Sequence, residues 1–351
     1  MKPPYRVPTM QEIRALPWNG RVVVSTFAGG GGSSTGYRMA GYRVLWANEF
    51  IPAAQDTYRA NKADYTVLDG RDIRTVQASE IEAAIGRSGR EIDIFDGSPP
   101  CAAFSTAGKR EAGWGKVKNY SDTKQRVDDL FFEYARLLKD LQPRTFVAEN
   151  VSGLVKGTAK GYFLEILAAL KACGYRVKAQ VLDAQWLGVP QSRQRLIFVG
   201  VREDLKVEPV HPKPWGFQYT VRDSIADVDN SPADIKNASA EEYAVGAELR
   251  RMKPGSTSTK YFQLRRAPWD GVVGCITQKA GDTSAASESH PERVGKFTVP
   301  ELRRLCSFPD DYALSGDYEQ QVERMGRAVP PLMMKAISKA VYEGVLCRLP
   351  S

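Results

Sequence analysis

The chain has 351 residues, 42% of them hydrophobic and 26% charged, the balance of a globular protein large enough for one main domain with an appended lobe. Its 49 basic against 41 acidic residues leave a net charge of +8, which suits a polyanionic partner, nucleic acid first. The five cysteines and two histidines form no CxxC pair and no Cys/His cluster, and no apolar run is long enough for a bilayer; no metal centre, no membrane and a reducing, cytoplasmic setting are expected.

Residues 21–27 read RVVVSTF, a β-branched run that stops at Gly29-Gly30-Gly31-Gly32, so a buried strand feeding a tight glycine turn is expected. Helix-compatible sequence follows over 34–40. A second strand at 42–46 ends in Ala47-Asn48-Glu49, an acid about 20 residues beyond the glycines, which is βαβ grammar. FAGGGGSSTG puts Ser34 where a dinucleotide fingerprint would have its third glycine. A nucleoside without a diphosphate, such as an adenosyl-methionine whose ribose hydroxyls donate to Glu49, suits this loop better, and a dehydrogenase is disfavoured.

A third strand at 91–95 runs into Asp96-Gly97-Ser98-Pro99-Pro100-Cys101. The two prolines fix the backbone just before a thiol at a strand's carboxyl end, where substrates of open parallel sheets lie, so Cys101 is a candidate nucleophile. A free thiol is only about a few per cent thiolate at neutral pH, and Arg193 and Arg195 are candidates to favour the anion. Residues 130–141 carry Leu130, Tyr134, Leu137, Leu138 and Leu141 at helical spacing, a face for packing on a sheet. The strand at 145–148 ends in Glu149-Asn150. Gln191-Ser192-Arg193-Gln194-Arg195 precedes a strand at 196–200, and alternation puts both arginines on one face if that strand begins early. Residues 203–274 turn to Pro, Gly and short strand-like runs, read as a small second lobe. Regular sequence resumes at 298–305 and at 326–345, where Pro330-Pro331 opens a helix.

In order along nearly the whole chain, these pieces resemble the DNA cytosine-C5 methyltransferases. FAGGGGSSTGYRMAG resembles their cofactor loop, NEF their ribose-binding acid, GRDI their adenine contact, GSPPCAAFSTAGK their nucleophile loop, ENV their acid and QSRQRLIFVG their arginine strand; CIT, LRRLCSFPDDY and GRAVPP resemble the closing elements. The resemblance implies an α/β, Rossmann-like S-adenosylmethionine-dependent methyltransferase fold, a mostly parallel doubly wound sheet with a small, irregular, β-rich target-recognition lobe. The implied domains are 1–202 (catalytic and cofactor-binding), 203–274 (target recognition) and 275–351 (return to the catalytic domain).

What it implies for the site is specific. Cys101 adds to C6 of a flipped cytosine, Glu149 holds a proton at N3, Arg193 binds O2, and Arg195 orients Glu149 or the loop. Phe27, Ala28, Gly29, Gly31, Gly32, Glu49, Phe50, Asp72, Ile73, Pro99, Leu130, Arg327, Ala328 and Val329 surround S-adenosylmethionine. Ser105, Lys109, Arg110 and Thr277 meet double-stranded DNA, and the enzyme is expected to act as a monomer in a bacterial or phage-infected cell. Arg327 stands where the family usually has Asn. A guanidinium beside a helix end and a sulfonium calls for an anion: the cofactor's carboxylate, a DNA phosphate, an internal acid, or a carboxylate on the transferred carbon. The last would make carboxy-S-adenosylmethionine the donor and 5-carboxymethylcytosine the product. A tRNA cytosine enzyme and an inactive DNA-binding relative are the further alternatives.

Overall fold

The computed structural model describes residues 2–100, 118–120, 123–125, 130–155 and 160–349; Cys101, Ser105, Lys109 and Arg110 lie outside the described residues. The chain divides into two compact units. A sheet unit comprises Leu16–Leu182, Gln194–Pro212 and Lys335–Ser351, and a second unit comprises Met1–Ala15, Asp183–Arg193 and Lys213–Met334. These divisions differ from boundaries at 202 and 274: residues 275–334 group with 213–274, and 183–193 join them. The reason is local pairing, since Ser192 N donates to Val273 O (2.9 Å) and Val273 N to Pro190 O (3.1 Å). No helix among the described residues is long and apolar enough to cross a membrane.

In chain order the first elements are α1 (Met10–Ala15), β1 (Val22–Thr26), α2 (Gly32–Met39), β2 (Arg43–Asn48), α3 (Pro52–Asn61), β3 (Val67–Asp69), α4 (Ala78–Ile85) and β4 (Ile94–Gly97). A short hairpin, β5 (Lys118–Tyr120) and β6 (Thr123–Gln125), precedes α5 (Leu130–Leu141), β7 (Thr145–Val151), α6 (Lys160–Ala172), β8 (Tyr175–Asp183) and β9 (Gln194–Arg202). Seven of these strands form one sheet in the order β3-β2-β1-β4-β7-β9-β8. From β3 to β7 the pairs are parallel, and β9 runs antiparallel to β7 over seven residue pairs. The sheet is therefore α/β and mostly parallel, as the βαβ grammar requires.

Every residue of β1 is buried, the pattern of a strand covered on both faces. Helix α5 supplies one cover: Leu130, Tyr134, Leu137, Leu138 and Leu141 are all at most 3% exposed, each stabilising by roughly 1.5–3 kcal/mol relative to exposure. The Tyr134 hydroxyl donates to Phe95 O at 3.0 Å. Its ring lies so close to β4 that a Cβ on Gly97 would fall 2.6 Å from it, which excludes any side chain at that position.

The second unit has little regular structure. Its helices after residue 213 are α7 (Val221–Ile225), α8 (Pro232–Asn237), α9 (Ala244–Leu249), α10 (Val299–Leu305) and α11 (Tyr318–Arg327), and α12 (Pro331–Gly344) follows. The lobe is irregular as expected, but its β content is slight: the sheet pairing described is β10 (Arg265–Arg266) with β11 (Glu288–Ser289), two residues each. Pro214, Pro232, Pro254 and Pro268 interrupt the segment and cannot donate to a ladder. A small core of Ala240, Val245, Leu249 and Leu264 closes it instead.

Candidate active site

Strand order reverses between β1 and β4, the switch point at which open α/β sheets bind ligands. The register pairs Thr26 with Gly97 and Gly97 with Ala148, so the glycine loop, Pro99 and Glu149 leave the sheet at one rim. Sequence alternation alone could not have set that level; the parallel register does.

At the β1 end, Phe27 (φ 53°), Gly29 (φ 55°) and Gly31 (φ 94°) all adopt left-handed backbone. Gly31 caps α2, whose first residue is Gly32. Ala28 N donates to Asn48 O (2.9 Å), stitching the loop to the end of β2. Glu49 takes two backbone N–H groups, Gly29 on Oε2 and Ile51 on Oε1, each at 2.7 Å. Those charge-assisted bonds fix the carboxylate at the loop. Phe50 follows, half-buried. Phe27 packs against the core cluster that holds Ile73 and Leu130. Asp72, expected at the adenine, caps its own short turn by accepting from Arg74 N (3.0 Å) and pairs with the Arg74 guanidinium (3.0 Å).

At the β4 end, buried Pro99 presents its carbonyl to Asn150 Nδ2 (3.4 Å), and Asn150 Oδ1 accepts from Val151 N (2.8 Å). Beside it, Glu149 Oε1 meets Arg195 Nε at 2.7 Å, with the two side chains 13% and 15% exposed. The pair is diagonal across the antiparallel β7–β9 ladder: Glu149 lies opposite Ile197, and Arg195 stands two residues along on the same face.

Arg193 is the residue expected at cytosine O2. Strand β9 begins at Gln194, so Arg193 precedes it and the alternation that would align the two arginines does not extend to it. It is 2% exposed in the second unit, where its Nη1 donates to Ile276 O (2.8 Å) and its Nη2 to Gly326 O (2.8 Å) and Ala328 O (2.9 Å). The clamp joins the segment ending at exposed Thr277 to the end of α11. Gly326 is needed there, because a Cβ would lie 2.3 Å from Thr277 O. Arg327 pairs with Glu323 Oε1 at 2.7 Å, one turn earlier on α11, and Arg324 reaches the other oxygen at 3.3 Å. Ala328 ends the helix as its C-cap and Val329 is buried.

Asp96 went unremarked in the sequence, where it reads as a strand-end polar residue. It is 2% exposed, paired in register with Ser25, and accepts from Ser25 Oγ (2.7 Å) and Tyr37 OH (3.0 Å). Burial pushes its carboxyl up to about 7, against the pull of both hydroxyls, and the Glu149 charge adds to the rise. A carboxyl inside the short, otherwise uncharged strand IFDG was the available signal.

The family model for C-5 cytosine-specific DNA methylase matches residues 22–343. Type II methyltransferase M1.HphI of Haemophilus parahaemolyticus is 32% identical over 334 residues, covering 91% of this chain and 86% of its own. Type II methyltransferase M.MthTI of Methanothermobacter thermautotrophicus is 30% identical over 353 residues, covering 92% and 98%. The crystal structure of a mutant of Spodoptera frugiperda DNMT2 superposes with a TM-score of 0.67 at 18% identity, covering 92% of this chain and 99% of that one, a likeness of fold.

Proposed function

From the premise that the chain belongs to the C-5 cytosine-specific DNA methylase family, we propose that it methylates C5 of a cytosine extruded from double-stranded DNA, through covalent addition of Cys101 to C6. The observation that carries this reading is the Glu149–Arg195 pair, held at 2.7 Å on the rim where Pro99 leads toward Cys101.

C5 of cytosine is a poor nucleophile while the ring is conjugated. Addition of the Cys101 thiolate at C6 turns the C4–C5 edge into an enamine-like donor. Glu149 holds a proton at N3, so negative charge does not build up in the ring, an aid worth about a hundred to ten thousand fold. We assign the contact to O2 to Arg195 rather than Arg193, because Arg195 already shares the carboxylate of Glu149 whereas Arg193 spends three hydrogen bonds on backbone carbonyls. After transfer, water takes the C5 proton and elimination returns the thiolate. Extruding the base costs a few kcal/mol, which Ser105, Lys109 and Arg110 on the nucleophile loop and Thr277 help to offset by binding the DNA.

The rim fits S-adenosylmethionine. A Cβ built on Gly29 meets nothing within 4 Å, which is open space at the loop, and Glu49 offers a fixed acceptor. Phe27, Ala28, Gly29, Gly31, Gly32, Glu49, Phe50, Asp72, Ile73, Pro99 and Leu130 would hold the cofactor, whose sulfonium supplies the methyl group when bound. The methyl donor is the one that the relatives named methyltransferases support, and Arg327 already pairs with an internal acid, Glu323, which it shares with Arg324. Residues 203–274, of which 213–274 belong to the second unit, serve as the target-recognition segment.

The test is duplex DNA carrying 5-fluorocytosine. With donor present, a covalent adduct should form on the wild type and be absent from Cys101→Ser; no adduct on the wild type overturns the reading. Mass measurement of nucleosides from normal DNA should give 5-methylcytosine, whereas 5-carboxymethylcytosine would select the carboxylated donor and modification of tRNA alone would select the tRNA enzyme.

A further inference from the structure

A half-open cavity of about 380 Å³ lies wholly within the second unit, and its lining includes Ser192, Thr257, Arg265, Pro268, Cys275 and Glu288. Its two charged groups that stand opposite each other come from the short β10–β11 pair, in which Arg265 is in register with Glu288 and Arg266 with Ser289. Alternation sorts them. Arg266 and Ser289 turn inward, 4% and 0% exposed. Arg266 gathers the carbonyls of Leu249 (2.7 Å), His290 (3.1 Å), Pro291 (2.8 Å) and Arg293 (3.1 Å). Arg265 and Glu288 are therefore carried on the opposite face of a buried, heavily bonded platform.

Glu288 is also held from the other side of the cavity. Gly274 N–H bonds its carboxylate, and burial raises that carboxyl above its ordinary value while Gly274 and Arg265 act against the rise. A Cβ on Gly274 would lie 2.7 Å from Glu288 Oε2, so the carboxylate rests where a side chain would stand. The chain continues from Gly274 through Cys275 and Ile276, whose carbonyl is gripped by Arg193, to Thr277.

We propose that Arg265 and Glu288 read one guanine–cytosine pair of the DNA target through its major groove. A two-stranded β-ribbon fits that groove; an arginine donates to guanine N7 and O6, and a carboxylate accepts from cytosine N4, so adjacent groups of this kind match the two halves of one G·C edge and mismatch A·T. The inference rests on the DNA cytosine-methylation reading above and adds which residues choose the site.

The experiment is a randomised duplex library treated with each full-length enzyme, followed by sequencing that reports every methylated cytosine. Wild type should require G·C at one position near the modified cytosine. Arg265→Ala and the isosteric Glu288→Gln should each relax that position by about 10-fold to 100-fold, and Gly274→Ala, whose Cβ would press on Glu288 Oε2 while both reading residues are retained, should relax the same position. Melting curves establish that each variant is folded. An unchanged site profile in folded Arg265→Ala and Glu288→Gln overturns the inference while leaving the methylation reading intact. A uniform loss across all sequences, with a shallower salt dependence for Arg265→Ala, identifies a phosphate contact and overturns it too. Absence of any methylated cytosine with wild type defeats the methylation reading itself.

Discussion

Two arginines two residues apart, Arg193 and Arg195, do opposite work because they fall in regions of opposite construction. In the sheet unit, β7 and β9 satisfy each other's backbone over seven residue pairs, so Arg195 gives one bond to the adjacent Gln194 O (2.7 Å) and its Nε to the carboxylate of Glu149. In the second unit there is little ladder, and guanidinium groups take its place: Arg193 gathers three carbonyls and Arg266 four. Regular structure releases side chains for chemistry, whereas irregular structure conscripts them, since buried carbonyls must find donors somewhere.

Three substitutions would break or sharpen this contrast. Glu149→Gln keeps the shape of the rim pair but removes the group that holds the N3 proton. It should lower the single-turnover rate by about a hundred to ten thousand fold with little change in melting temperature, and a variant that melts early at full activity would reverse the roles assigned to the two regions.

Arg193→Met should act on stability. Leaving buried carbonyls of Ile276, Gly326 and Ala328 without their guanidinium costs about 1–3 kcal/mol each, and at about 1.4 °C per kcal/mol, from an unfolding entropy of about 2.1 cal/mol/K per residue, the melting midpoint should fall by roughly 4–12 °C. A variant that melts with the wild type yet loses activity would show that Arg193 works at the base after all.

The smallest effect concerns Asp96. Its folded carboxyl titrates at about 7 instead of near 4, so the folded state binds the extra proton between those values and wild-type stability falls as pH rises from about 4 to 7. Asp96→Asn removes that slope. The difference in melting temperature, variant minus wild type, should therefore move in the variant's favour between pH 5 and pH 8; movement the other way would mean that Asp96 is ionised and supported in the fold.

Much of the sheet unit was legible in advance. Apolar runs that stop at glycines, prolines or acids located β1, β2, β4, β7 and β9, and helical spacing located α5 to the residue. Those features are local: a strand buried on both faces has to be written as a continuous apolar run, and a helix that covers a sheet has to repeat its apolar face. The glycine loop with Glu49, and the Glu149 end of β7, followed from the same grammar.

What the chain's order could not convey was set by register and packing. Whether Arg193 or Arg195 joins Glu149 depends on which residue starts β9 and which residue of β7 it faces, a choice made by the antiparallel pairing. The partner of Arg327 was left among four anions until α11 put Glu323 one turn away. Asp96 looked like a strand-end polar group until β1 and Tyr37 closed over it, and the Arg265–Glu288 pair exists only through two strands 23 positions apart in the sequence. Pattern along the chain specifies which face of an element is buried; which polar groups then meet is decided by the tertiary fold, because a hydrogen bond or ion pair requires distances that no spacing in sequence determines.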